Sequence, residues 1–185
     1  MKIIVVDIEA TCWRKNPPPG EQNEIIEVGV CLLDTETLTP SHKKSILVKP
    51  TRSKVSDFCT KLTTLTQEQV DTGISFAEAC AMLEKEYESK AHIWVSWGNY
   101  DRKMFESQCI SFGVPYPFHE QHINLKELHG TVMNKGQKMG MARAVKSVGL
   151  ELIGTHHRGD DDAWNIARVL AVMLEAHGQG ILEQS

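Results

Sequence analysis

Apolar residues recur along this chain with two periods. Near the start, Ile3 to Val6 form an unbroken apolar run that leads into Asp7, Ile8 and Glu9. Such a run predicts a strand over 2–9 that is buried on both faces. Segment 24–34, "EIIEVGVCLLD", predicts a second strand, and 44–50, "KSILVKP", a third that Pro50 ends. The stretch 14–23, "RKNPPPGEQN", reads as a loop. Short connections among these strands favour an antiparallel meander.

Further on, the period lengthens to that of a helix. Thr66 followed by Gln69 is a capping-box pattern for a short helix. Ser75 is placed to cap a helix over 75–89, whose apolar stripe is Phe76, Ala79, Cys80, Leu83 and Tyr87. Segment 92–97, "HIWVSW", predicts a fourth strand, followed by a helix that stops near Gly113. Two short helices follow, over 126–134 and 141–149. The strongest helical pattern covers 162–178, with Ala163, Ile166, Ala167, Leu170 and Leu174 in one stripe and Gly178 at its end. Strands first, then alternating helix and strand, predict an α/β fold with a mixed sheet flanked by helices. No repeat, low-complexity tract or linker divides the chain, so 1–185 is expected to be a single domain.

Composition narrows the function classes. The chain has 24 Asp and Glu against 20 Lys and Arg, a net charge of −4, which argues against a protein that grips nucleic acid by a large basic surface. The five cysteines, Cys12, Cys31, Cys59, Cys80 and Cys109, form no CxxC pair. They read as reduced thiols of a cytoplasmic protein, not as disulfides or a zinc site. The start "MKIIVVD" is too short an apolar run for a signal peptide, and no stretch approaches a membrane span.

The chemistry begins with Asp7 and Glu9. Side chains alternate along a strand, so these two carboxylates point to the same face. Close carboxylates repel, and burying them unpaired is costly. A divalent cation resolves both problems, and Mg²⁺ and Mn²⁺ prefer carboxylate oxygens. The alternative is a strand that surfaces at Asp7. Asp101 follows the fourth strand and would lie near Asp7 if that strand neighbours the first. Last comes "GTHHRGDDDAWNIARV", with two histidines and three aspartates entering the final helix. Taken singly, Asp101 is as well explained as a helix N-terminal acid, and this last segment as a generous cap.

Jointly, "DIEATC", "WGNYD" and "HHRGDDDAWNIARV" resemble, in order, the three motifs of the DEDDh 3′-to-5′ exonucleases. The likeness is strongest to the branch of histone-mRNA 3′-end and siRNA-degrading exoribonucleases, through "NEIIE", "VSDFC", "LTTLTQEQVD" and "DDAWNIAR". It runs from about residue 3 to residue 170. The resemblance implies the ribonuclease H-like fold. It implies Asp7, Glu9, Asp101 and Asp162 as metal-binding carboxylates for two Mg²⁺ ions, with Mn²⁺ as a substitute, and His157 as general base. Tyr100 stands where relatives carry another aromatic, and it and Leu65 are expected to contact the terminal base. Ala10 and Thr11 are expected to meet the terminal 3′-hydroxyl. Trp13 and Glu27 are expected to be structural. Lys135, Lys138, Arg143 and Lys146 either guide phosphates or form a solvated helix edge.

The implied substrate is single-stranded nucleic acid, above all RNA 3′ ends, with no membrane partner. Two other readings remain: a DNA 3′-to-5′ exonuclease or proofreading module, and a catalytically dead nucleic-acid-binding domain. Nothing in the sequence specifies an oligomeric state. Among the three final aspartates, helical phase sets Asp162 over Ile166 at the edge of the buried stripe. The same phase aligns Asp161 with Asn165 and Arg168 on the outer face, and Asp160 is expected to cap the helix.

Overall fold

The computed structural model describes residues 1–184. Strand β1 (Lys2–Ala10) lies at the centre of a five-stranded sheet. It pairs antiparallel with β2 (Ile25–Asp34), which pairs antiparallel with β3 (Thr39–Leu47). On its other side β1 runs parallel to β4 (Trp94–Ser96), and β4 runs parallel to β5 (His122–Asn124). The spatial order is β3-β2-β1-β4-β5. The antiparallel meander and the adjacency of the first and fourth strands are as the patterns predict. The third strand begins earlier, at Thr39, where polar residues occupy a sheet edge. Strand β5 has only three residues and carries no period long enough to detect.

Alternation along β1 divides the core. Ile3 and Val5 face a cluster built with α5 (Leu125–Met133), α6 (Met141–Ser147) and α7 (Gly159–His177). Ile4, Val6 and Ile8 face the opposite cluster, built with α3 (Phe76–Tyr87) and α4 (Tyr100–Phe112). Helices therefore cover both faces, which explains why β1 and β2 are apolar on both sides. A smaller cluster of Ile26, Cys59, Leu65 and Val70 seats α1 (Asp57–Thr63) and α2 (Gln67–Asp71) at the end of the sheet. Thr66 and Gln69 form the expected capping box of α2, and Ser75 caps α3. Helix α1 has no sequence forecast: its seven residues bury only Cys59 and Thr63, too few to set a period.

Two features dock α7 on the sheet. A Cβ on Gly29 would lie 1.8 Å from the Gly159 carbonyl carbon, so only glycine lets the first turn of α7 touch β2. Glu27, fully buried, accepts the Gly159 N–H at 2.8 Å and the Arg158 guanidinium at 2.8 Å. The helix thus starts at Gly159, three residues before the expected start at 162, and its first turn is closed by Glu27 from β2. Asp160 is not the cap; it pairs with Lys43 at 3.2 Å. Asp161 also pairs with Lys43 and accepts the Thr155 N–H. Asn165 does not face outward, as helical phase suggested. It is buried and holds Ile153 through both its oxygen and its nitrogen. The reason is that segment 150–155 folds back over this side of α7. Among the described residues, no helix is long and apolar enough to cross a membrane.

Candidate active site

Asp7 and Glu9 extend from β1 on the same face as Ile3 and Val5, the face that α7 covers. Asp162 enters from the first turn of α7. Carboxylate oxygens of Asp7, Glu9 and Asp162 all lie within 4.8 Å of one another. Asp101, on the first turn of α4, is turned slightly aside: its Oδ1 accepts the Ile8 N–H at 3.0 Å. The β1–β2 register shifts between Glu9 and Ala10, so a bulge falls at the site itself before pairing resumes at Ala10 and Ile25. The four acids line a cleft of about 340 Å³ that Trp97, Tyr100, His156 and His157 also border.

These acids raise one another's proton affinity. Burial, then the charge of Asp101, holds the Asp7 carboxyl well above the usual range. Burial followed by Asp162 pushes Glu9 to about 9. Burial raises Asp101 to about 6, against the pull of its hydrogen bonds, and raises Asp162 as well. Four crowded, desolvated carboxylates in a cleft lined by no lysine or arginine fit a cluster of divalent cations, which would balance their charge. Glu27, also nearby, is paired with Arg158 at 2.8 Å.

The two histidines divide the space around Asp162. His156 Nδ1 sits 2.9 Å from Asp162 Oδ2. His157 donates its backbone N–H to the same oxygen at 3.0 Å, and its ring stacks on His156 at 3.9 Å. His157 adopts a left-handed φ of 67°, a sparsely populated backbone for a residue other than glycine. Its imidazole pKa is lowered, by burial first and then by His156.

The remaining expected contacts are placed differently. Tyr100 is half-exposed over the cleft, and burial followed by Asp101 pushes its phenol to about 12, so it stays neutral. Leu65 has no exposed surface and belongs to the core beneath α1, so it offers a base nothing to pack on. Thr11 is also withdrawn: its N–H bonds Glu24, and its hydroxyl donates to Gln22 O and accepts from Glu24 N–H. Ala10 is buried, and its carbonyl accepts the Cys59 thiol. Trp13 is partly buried just beyond the strand. Two residues that the sequence reading passed over are Phe58 and Leu62, four apart on α1 and exposed, although large and apolar. Their signal was present: with Cys59 and Thr63 as the buried side, Phe58 and Leu62 are left facing outward. Trp97 is the other omission; its indole N–H holds Met139 O at 3.1 Å across the cleft.

A parallel-and-antiparallel sheet whose central strand presents carboxylates to a helix-borne aspartate is the ribonuclease H-like arrangement of DEDDh exonucleases, and the sheet here superposes on it. The exonuclease family profile matches residues 4–170, and the chain belongs to that family. It is 33% identical over 183 residues to human 3′-5′ exoribonuclease 1, covering 94% of this chain and 52% of that protein. The chain therefore spans about half the length of that relative. It is 28% identical over 164 residues to the probable 3′-5′ exonuclease KapD of Bacillus subtilis (strain 168), covering 87% of this chain and 78% of the other. Among solved structures, the nuclease domain of 3′hExo, a DEDDh family member bound to rAMP, matches with a TM-score of 0.87 and 31% identity. That match covers 96% of this chain and 94% of that one.

Proposed function

We propose that this domain is a metal-dependent 3′-to-5′ exoribonuclease that releases nucleoside 5′-monophosphates from single-stranded RNA. The observation that carries the reading is the convergence of Asp7, Glu9 and Asp162, with Asp101 beside them, in a cleft with an exposed aromatic rim. Asp7, Glu9, Asp101 and Asp162 would hold two Mg²⁺ ions, with Mn²⁺ able to replace them. Bound there, such ions supply Lewis-acid stabilisation of phosphate charge and a more acidic water. His157 takes the proton of the attacking water on a ring nitrogen, and its lowered pKa keeps it neutral for that task. The water oxygen bonds phosphorus, the bond from phosphorus to the 3′-oxygen of the preceding nucleotide breaks, and that oxygen takes a proton from solvent water. His156 orients Asp162 through its Nδ1 contact.

Tyr100, exposed at the cleft, gives the terminal base an aromatic surface, and stacking of this kind tolerates any sequence. RNA is favoured over DNA by the exoribonuclease names of the relatives and by the rAMP bound in the 3′hExo structure. All five cysteines are free thiols, which suits a reducing compartment such as the cytoplasm. End-labelled single-stranded RNA and DNA, incubated with Mg²⁺, Mn²⁺ or EDTA, test the proposal. A ladder shortening from the 3′ end of RNA, abolished by EDTA, is the expected result. Faster loss of DNA would move the assignment to a DNA exonuclease, and binding without cleavage in either metal would identify a dead domain.

A further inference from the structure

One stretch of the chain carries cations and no acids. Between Glu127 and Glu151 lie Lys135, Lys138, Arg143 and Lys146, while all 24 acidic residues lie elsewhere. The fold brings this stretch to the rim of the cleft. Trp97 holds Met139 O, and Gly140 and Met141 line the cleft wall. The turn before them is built by hydrogen bonds: Asn134 Nδ2 donates to Gln137 O at 2.7 Å, and Gly136 N–H donates to Gly130 O at 2.7 Å. Within it Lys135 takes a left-handed φ of 50°. Glu127 neutralises Lys138 at 2.6 Å. Lys135, Arg143 and Lys146 are exposed, and none has an ion pair among the described residues. Arg143 and Lys146 are three apart on α6 and so share a helix face.

We propose that Lys135, Arg143 and Lys146 form a phosphate track for the strand upstream of the 3′-terminal nucleotide. This rests on the exonuclease reading above and extends it from the scissile end to the body of the substrate. A single-stranded polyanion suits the track because the segment that carries it also forms, through Gly140 and Met141, a wall of the cleft from which the strand must emerge. On a protein of net charge −4, three unpaired cations on the segment that borders the cleft also supply attraction where the acids of the cleft would repel. An acidic protein would match the charge without needing the cleft.

The test compares the wild type with the triple variant Lys135→Ala, Arg143→Ala, Lys146→Ala. A control, Lys44→Ala, Lys85→Ala, Lys90→Ala, removes equal charge beside α3, on the other face of the sheet. Affinity for a 5′-fluorescein dodecamer of RNA is measured by anisotropy in EDTA between 50 and 200 mM KCl. Steady-state kinetics on a dinucleotide and on the dodecamer are measured in Mg²⁺. With about 0.7 of a counterion released per phosphate contact, the triple variant should lose about 2 from the slope of log affinity against log salt. Across that salt range the wild type should then lose roughly twentyfold more affinity than the triple variant. The preference of kcat/KM for dodecamer over dinucleotide should shrink through KM. A slope equal to the wild type's, or a control that flattens equally, would overturn the track. Failure of the wild type to cut either RNA would overturn the exonuclease reading, while the anisotropy slopes would still judge the track.

Discussion

His157 combines an unpaired imidazole with a strained backbone, whereas the His156 ring is spent on Asp162. His157→Ala should therefore lose more activity than His156→Ala, with its own loss about a hundredfold or more, the range usual for a general base. The reverse order, read from kcat on RNA, would reassign the base. Since burial and His156 lower the His157 pKa, its neutral form persists below the ordinary histidine range. Activity should hold to a pH below the ordinary histidine range and fall as protonation sets in, and a pH-rate profile of kcat/KM checks that sign. The three aspartates separate clearly. Asp162→Asn should be nearly inactive, while Asp161→Asn should retain most turnover because its carboxylate faces Lys43. Asp160→Asn should cost under about 1 kcal/mol of stability, since a partly exposed ion pair is lost and no cap. An active Asp162→Asn would overturn the assignment. The positions of Asp7, Glu9 and Asp162 were legible because strand alternation and helical phase are strictly periodic. Leu65 and Thr11 were not, because whether an apolar or hydroxyl side chain faces a cleft or a neighbour depends on long-range packing.

At the scale of elements, the site depends on how α7 meets β2. Gly29 and Glu27 on β2 govern that contact, yet neither is distinguishable in sequence from an ordinary strand glycine or a solvated acid. The close approach appears only when the helix is in place. Gly29→Ala should destabilise by about 3 kcal/mol, the upper end of overpacking costs, and should reduce activity by pushing Asp162 away from Asp7. Chemical denaturation and turnover together test this; a stable, fully active Gly29→Ala would contradict the packing. Glu27→Gln breaks the pair with Arg158 and should cost about 2 kcal/mol, less than for a fully buried pair because Arg158 reaches solvent. Long, strongly periodic elements were readable: β1, β2, α3, α4 and the body of α7 lie where the pattern predicts. The true start of α7 was hidden because its first turn is closed by a side chain from another strand.

For the whole molecule, four acids converge at the end of a rigid sheet, a charge conflict held in place by the fold. The folded-state pKa values of Asp7, Glu9 and Asp162 are raised, so without metal these groups favour folding most below their unfolded pKa. That contribution is lost as pH rises, through about 9 for Glu9. Mg²⁺ binds the deprotonated acids, so the gain in melting temperature on adding Mg²⁺ should widen with pH; a constant or shrinking gain would speak against a shared metal site. The same conflict predicts that Asp7→Asn melts no lower than the wild type in EDTA, because it removes one of the repelling charges. A 3′-phosphate on the RNA should slow cleavage, and covalently closed circular RNA should resist it. The most direct measurement is the turnover of linear RNA by Asp7→Asn at saturating Mg²⁺, with folding verified by melting. The account predicts a loss of at least about a thousandfold, because the charge at the centre of the carboxylate cluster is removed. A folded Asp7→Asn that degrades RNA at close to the wild-type rate would contradict it.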